Sequence, residues 1–454
     1  MDKKIGLKKA QLLLLFLILL ASNVFSQTAD TSSLNQCIDI AIKNNQNIQN
    51  KRLDELINQA KIAETKSDLY PQLKLKSNYQ YYPTVPTSLI ESSAFGGPPG
   101  QYSATQLLVP QSMNGSAEFS WQVYNPAILS ALKISKLSKS MSETATKDKL
   151  EGVVYDVSAT YLNIQINELQ ADLTRSNISN LKRNLDLTTQ LYNQGLALKS
   201  DIDNLILSVA NLETVLNNQL NEINQLYYLL KIYMGLAPDY ALVIEKYKEN
   251  QSNNYTYLTS IDTTNYKKRR GYKSLQQTGD LFVLQAKSIK AGYLPNLNLI
   301  GSFGYSGFNP EFQLFKTYNN KWYATNLIQL NLEIPIFDGL KKRNQLIQNK
   351  YQQQQNNNSL QNLKNTFQME QMNALNSYNL YIKDVEYQTK NVALANKLYN
   401  QKLLEYKNAS ASLNDMITVE NTLKAAQSNY LNALIKLKLA ELDIKKANGE
   451  LIKN

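Results

Sequence analysis

From Leu150 to Tyr192 the chain places an apolar or small residue at every seventh position: Leu150, Val157, Ile164, Ala171, Ile178, Leu185 and Tyr192. The companion seam, Val153, Thr160, Asn167, Thr174, Leu181 and Thr188, is only half apolar. That repeat predicts a long helix coiled against partners yet facing water over much of its surface. Asn125 and Pro126 begin it, a capping side chain followed by a proline at the first helical position, where no amide hydrogen is missed. Gly195 ends it, and at ~1.5 Å per residue the helix spans about 100 Å. Beyond a turn at 195–201, Leu205, Val209, Leu212, Leu216, Leu220, Ile223, Leu226 and Leu230 carry a return helix to Gly235. The pattern predicts an antiparallel helical hairpin with 195–201 at its tip.

Upstream, Ser33 and Gln36 fit a capping box, and Ile38, Ala41, Ile42, Ile48, Leu53, Leu56, Ile57 and Ala60 predict one helix over 34–68. The period then drops to two. Leu73, Leu75, Ser77, Tyr79 and Tyr81 alternate with Gln72, Lys74, Lys76, Asn78 and Gln80, which predicts a strand over 71–82. Residues 83–112, rich in Pro, Gly and Ser, are expected to form a long exposed loop. A second strand at 113–124 carries Ala117, Phe119, Trp121 and Val123 on one face.

The second half repeats this plan. Leu69-Tyr70-Pro71-Gln72-Leu73 is matched by Tyr293-Leu294-Pro295-Asn296-Leu297, and Val123-Tyr124-Asn125-Pro126 by Ile336-Phe337-Asp338-Gly339. Asp201 is matched by Asp415, and Gly235 by Gly449. An internal duplication is the simplest cause. It divides the chain into a first repeat over 27–239, a linker region over 240–262 and a second repeat over 263–454. The second repeat holds strands at 295–306 and 325–337 and a helical tip at 409–415. The run of Gln and Asn at 352–358 falls inside a helical pattern and is expected to be a hydrated face.

Four amphipathic strands of this length suit a membrane crossing, and their aromatic residues near strand ends suit an interfacial girdle; a sheet packed on helices is the competing assignment. Four strands cannot close a barrel, because about eight is the practical minimum. A spanning version therefore needs several copies of the chain, eight strands from two or twelve from three.

Composition narrows the chemistry. Residues 1–26 combine Lys3, Lys4, Lys8 and Lys9 with an apolar core from Leu12 to Leu20, the pattern of a secretory signal peptide. The chain has no histidine and one cysteine, Cys37, which lies in an apolar helical pattern and is expected to be a buried small hydrophobe. With no histidine and no phosphate-binding glycine loop, no catalytic, cofactor or ordinary metal constellation is found. The formal net charge is +11, but Lys and Arg are scattered, and the cluster Lys267–Arg270 is expected to be a solvated turn rather than a nucleic-acid patch.

The ordered set resembles the TolC-type outer membrane efflux proteins. It comprises the leader, the duplicated plan, Pro-Asn-Leu-Asn-Leu at 295–299, Ile-Pro-Ile-Phe-Asp-Gly-Leu at 334–340 and the Gly-x5-Asp turn at 195–201. The resemblance implies a mixed α and β membrane protein: a transmembrane β-barrel completed by trimerisation, with four strands per chain, and a long periplasmic α-helical coiled-coil barrel. It implies localisation in the outer membrane and partners that include outer membrane lipid, a periplasmic adaptor and an inner-membrane pump. The function it implies is a passive exit duct for small molecules or secreted protein, without catalysis or cofactor. Asp415, Asp201 and Tyr406 fall on positions of the periplasmic gate, while Gly195, Leu196, Ala409 and Ser410 fall on the adaptor-docking tips. The family's gate arginine falls on Ala411, and a second constriction aspartate falls on Thr418, so the arginine's salt bridge has no counterpart at that position. The competing role for each aspartate is capping of the return helix. The alternative for the whole chain is a periplasmic coiled-coil adaptor or scaffold with no membrane barrel.

Overall fold

A computed structural model describes residues 31–248, 255–260, 262, 264–311, 321–408 and 410–452. The leader over 1–26, part of the linker at 240–262, and Ala409 lie outside the described residues. The elements in order are α1 (Leu34–Asn44), α2 (Gln46–Ser67), β1 (Gln72–Tyr81), β2 (Ser88–Glu91), β3 (Tyr102–Thr105), β4 (Gln111–Tyr124), α3 (Pro126–Asn193) and α4 (Lys199–Met234). The second half supplies α5 (Arg270–Ala291), β5 (Asn296–Asn309), β6 (Lys321–Glu333), α6 (Lys341–Lys407) and α7 (Leu413–Ala447). The long helices of the two halves have 68 and 67 residues and their return helices 36 and 35, so the halves agree turn for turn. Among the described residues no helix is long and apolar enough to cross a membrane.

The chain divides into two compact units, one built from residues up to 51, 146–270 and 364 onward, the other from 52–145 and 271–363. Among the described residues the second unit holds all the strands. Its main sheet has the order β1-β4-β5-β6, and every neighbour is antiparallel. Because side chains alternate, the register sorts the sheet into two chemically different faces. One face carries the rows Leu73, Phe119, Gly301, Ile328; Leu75, Ala117, Phe303, Asn326; and Tyr79, Met113, Gly307, Trp322. The other carries Lys74, Glu118, Ser302, Leu327; Lys76, Ser116, Gly304, Thr325; and Asn78, Asn114, Ser306, Tyr323. On that polar face Lys76 Nζ lies 2.6 Å from Glu118 Oε2. The apolar face is uncovered: Leu75 is 89% exposed. β1 and β6 each have a neighbour on one side only, so both edges of the sheet are open.

Three details of the strand unit differ from the sequence expectation. The strand expected at 325–337 runs from Lys321 to Glu333, because Pro335 lacks the amide hydrogen a ladder needs. The loop expected at 83–112 contains a hairpin of its own, β2 with β3, closed through the one-turn 3-10 segment Ser92–Phe95. The 352–358 run is not uniformly hydrated either. Asn356 is buried beside Gly279, where a Cβ would meet its amide.

In the first unit the helix expected over 34–68 is two helices. Asn45 leaves the helical region (ψ 119°), its Oδ1 accepts from the amides of Asn47 and Ile48 at 2.9 and 3.3 Å, and its Nδ2 donates to Tyr233 O at 2.7 Å. The break lets the backbone of Asn44 approach Gly235, which closes α4 with φ +68° and has no room for a Cβ. Around this joint Cys37, Ala41, Ile48, Val157, Ile164, Leu230, Met234 and Ile244 form one core cluster. Burial pushes the Cys37 thiol up to about 11. The start of the linker straps across: Ser32 N donates to Val243 O at 2.8 Å, and Glu245 N to Ser32 O at 3.2 Å.

The half-apolar seam of α3 is mostly buried, with Asn167 buried only in part. Thr160, Thr174 and Thr188 are buried with Val153 and Leu181. Thr174 and Thr188 return their hydroxyls to the carbonyls of Gln170 and Asn184, at 3.0 and 2.9 Å, so burial leaves no donor stranded. Arg269 departs from the expected solvated turn. Its side chain is 11% exposed, stacks over the Phe367 ring at 4.2 Å and reaches Glu370 Oε2 at 3.0 Å.

Candidate functional site

Both helical hairpins end in the first unit, and their turns lie together. The first long helix closes with Gly195 at φ +76°, Gly195 N donating to Tyr192 O and Leu196 N to Leu191 O, each at 2.9 Å. These bonds satisfy carbonyls that a helix end otherwise leaves bare, and the positive φ is one that glycine takes without a Cβ penalty. The second turn closes on the same pattern: Ser410 N and Ser410 Oγ both donate to Glu405 O at 2.9 Å.

The aspartates begin the return helices from inside, rather than as their N-caps. Asp201 is the third residue of α4, and its Oδ2 accepts from the amide of Leu198 at 3.0 Å. Asp415 occupies the same place in α7 with a fuller capping box. Its Oδ2 accepts from Ser412 N at 3.1 Å and Ser412 Oγ at 2.8 Å, while its own amide donates to Ser412 Oγ at 3.2 Å. These bonds from Ser412, with the nearby Lys402 ammonium, hold the Asp415 carboxyl below the usual carboxylate range. Lys402 is itself tied to Glu405 Oε2 at 2.6 Å. Asp415 remains exposed at the end of its hairpin and carries a fixed negative charge there.

Gly195, Leu196, Leu198 and Asp201 share a hollow with Tyr406, Ala411, Ser412 and Leu413. Tyr406 is 5% exposed and joins a core cluster with Leu191, Leu205, Leu413 and Met416, drawn from all four helices of the two hairpins. Its hydroxyl pairs with Thr188 Oγ1 at 2.8 Å, and burial pushes its pKa up. Asp201 is close enough to raise it further by charge, but the hydrogen bond goes to Thr188. Ala411 has no charge to offer, and Thr418 returns its hydroxyl to Asn414 O at 2.8 Å. The site therefore brings Asp201, Tyr406, Gly195 and Leu196 into one hollow and sets Asp415 on the exposed end of the second hairpin. Thr188, Ser412 and Lys402 are the participants that sequence reasoning did not single out. The capping pattern Ser412-x-x-Asp415 was available as a signal; the other two depend on which helices meet.

Known proteins share this architecture over most of its length. The sequence profile of the family described as "Outer membrane efflux protein" matches residues 37–230 and 280–450. The outer membrane protein TolC of Escherichia coli (strain K12) is 22% identical over 461 aligned residues, covering 97% of this chain and 86% of TolC. Among solved structures, the CmeC outer membrane channel of Campylobacter jejuni superposes with a TM-score of 0.72 at 16% identity, covering 92% of this chain and 85% of CmeC. VceC, an outer membrane protein of Vibrio cholerae, gives 0.71 at 15% identity, covering 92% and 96%. CmeC is an outer membrane channel. The chain belongs to the outer membrane efflux protein family, an exit duct of efflux systems seated in the outer membrane with its helical part in the periplasm.

Proposed function

We propose that three copies of this chain close a twelve-stranded barrel and form a passive duct, completed at its periplasmic end by a periplasmic adaptor and an inner-membrane pump. The observation that carries this reading is the four-stranded sheet with one apolar face, one polar face and two open edges. In a bilayer the unpaired amides and carbonyls of β1 and β6 are too costly to leave unmet, and pairing β1 of one copy with β6 of the next removes both edges. The polar face then lines the lumen, and the apolar face meets outer membrane lipid. The alternative of a periplasmic scaffold without a barrel leaves that broad apolar face in water, which soluble surfaces avoid.

The exposed Gly195, Leu196 and Ser410, with Ala409 assigned by the resemblance, are the docking edges for the adaptor. Asp415 is the gate charge, with Asp201 and Tyr406 holding the two hairpins of one chain in register. The system served is a tripartite efflux or a type I secretion assembly, with small molecules or secreted protein as cargo. No cofactor and no nucleic acid enters this reading. Fractionation of the mature protein, followed by electrophoresis without boiling, is the test. Outer membrane protein migrating at three times the chain mass is expected, and a monomer in the soluble periplasmic fraction overturns the duct.

A further inference from the structure

We propose that the segment between β1 and β4 staples neighbouring protomers together at the outer rim of the barrel; the proposal rests on the three-copy ring put forward above. β1 follows α2 and β4 leads into α3, so this segment lies at the end of the strands away from the helices, on the extracellular side. Its composition is unusual for a surface loop. Between Tyr82 and Pro110 one residue, Glu91, is charged, against 19% of the whole chain. Even that carboxylate is used internally, since Gly100 N donates to Glu91 Oε1 at 2.7 Å.

The hairpin of β2 and β3 also leaves its apolar side chains open. Its register puts Leu89 on the same face as Tyr102. They are 72% and 70% exposed, and Phe95 at the hairpin end is 66% exposed. Leu107 and Leu108, on the way back to β4, are exposed as well. A two-stranded ribbon is marginal by itself in water, and an uncovered apolar face is a docking surface in want of a cover.

Position and charge choose the occupant. The segment springs from β1, the edge strand that meets β6 of the next copy in the ring, so its apolar residues stand where two protomers join. The corresponding connection between β5 and β6 has fewer residues, 310–320, than the 82–110 segment between β1 and β4. An anionic lipid surface attracts lysine and arginine, and the segment has neither. A second copy of this chain is therefore the cover.

The test replaces Leu89, Phe95, Tyr102, Leu107 and Leu108 by Ser in the full-length protein purified in detergent, and follows the temperature at which trimers dissociate in dodecyl sulfate. Circular dichroism in parallel reports the strands. A fall of roughly 10 °C is expected, the size several lost apolar contacts produce, with smaller falls for Phe95→Ser and Tyr102→Ser singly. The single substitutions decide the matter where the fivefold variant does not assemble. An unchanged dissociation temperature overturns the staple. A fall seen only after reconstitution into vesicles of anionic lipid also overturns it, in favour of a lipid surface. Wild-type protein that runs as a monomer instead overturns the ring, so the two failures are told apart.

Discussion

Asp415 stays ionised because three features of its own hairpin favour the charged form: the Ser412 amide, the Ser412 hydroxyl and the Lys402 ammonium. In the proposed ring, three such carboxylates around a narrow axis would favour cations and repel anions. Asp415→Asn is expected to lower the cation preference of the duct in planar bilayers, and an unchanged reversal potential removes Asp415 from the constriction. Tyr406 supplies the complementary contact. Tyr406→Phe deletes the hydroxyl that Thr188 meets and should cost about 1 kcal/mol. The expected readout is faster exchange of the turn amides, with the strands unaffected. Cys37 gives a third check at this scale. Its thiol is buried, with a pKa raised to about 11, and alkylation at pH 8 should wait for unfolding.

Among the elements, the return helices show how the paired turns are held. Ser412→Ala removes an N-cap worth about 1 kcal/mol, and hydrogen exchange should report fraying over the first turn of α7. The same substitution logic does not apply to α4, whose N-cap Leu198 offers only its backbone amide to Asp201. The Ser33–Gln36 box, the Asn125–Pro126 start, the Gly195 stop and the alternation of β1 were legible because each is written in consecutive residues. What was missed depends on distant neighbours. Asn45 breaks a regular apolar pattern because Tyr233 O and Gly235 lie beside it. Thr174 and Thr188 can be buried in a half-apolar seam because their hydroxyls fold back on the preceding turn. Arg269 looks solvated until Phe367 and Glu370 arrive from a helix about a hundred residues later. The turns carried the same asymmetry: Asp201 and Tyr406 could be placed by resemblance, whereas Thr188 as the hydroxyl's partner could not.

For the whole molecule, the two faces of the sheet must meet different media. Leu75→Lys places a cation on the apolar face near mid-strand, and a charge at that depth costs ~2–4 kcal/mol. The expected outcome is loss of outer membrane assembly, measured by fractionation. Lys76→Leu, on the polar face of the same strand, should leave assembly intact.

The open edges of β1 and β6 also have a genetic consequence. A chain that finishes its sheet only by borrowing edges from its neighbours cannot be counted one molecule at a time, because every ring draws its members from the common pool. If a cell makes equal amounts of wild-type chain and of a variant that folds but cannot open, only about one ring in eight is wholly wild type. Variants that fold normally and fail at the helical turns should therefore be dominant, and variants that cannot pair β1 with β6 should be recessive.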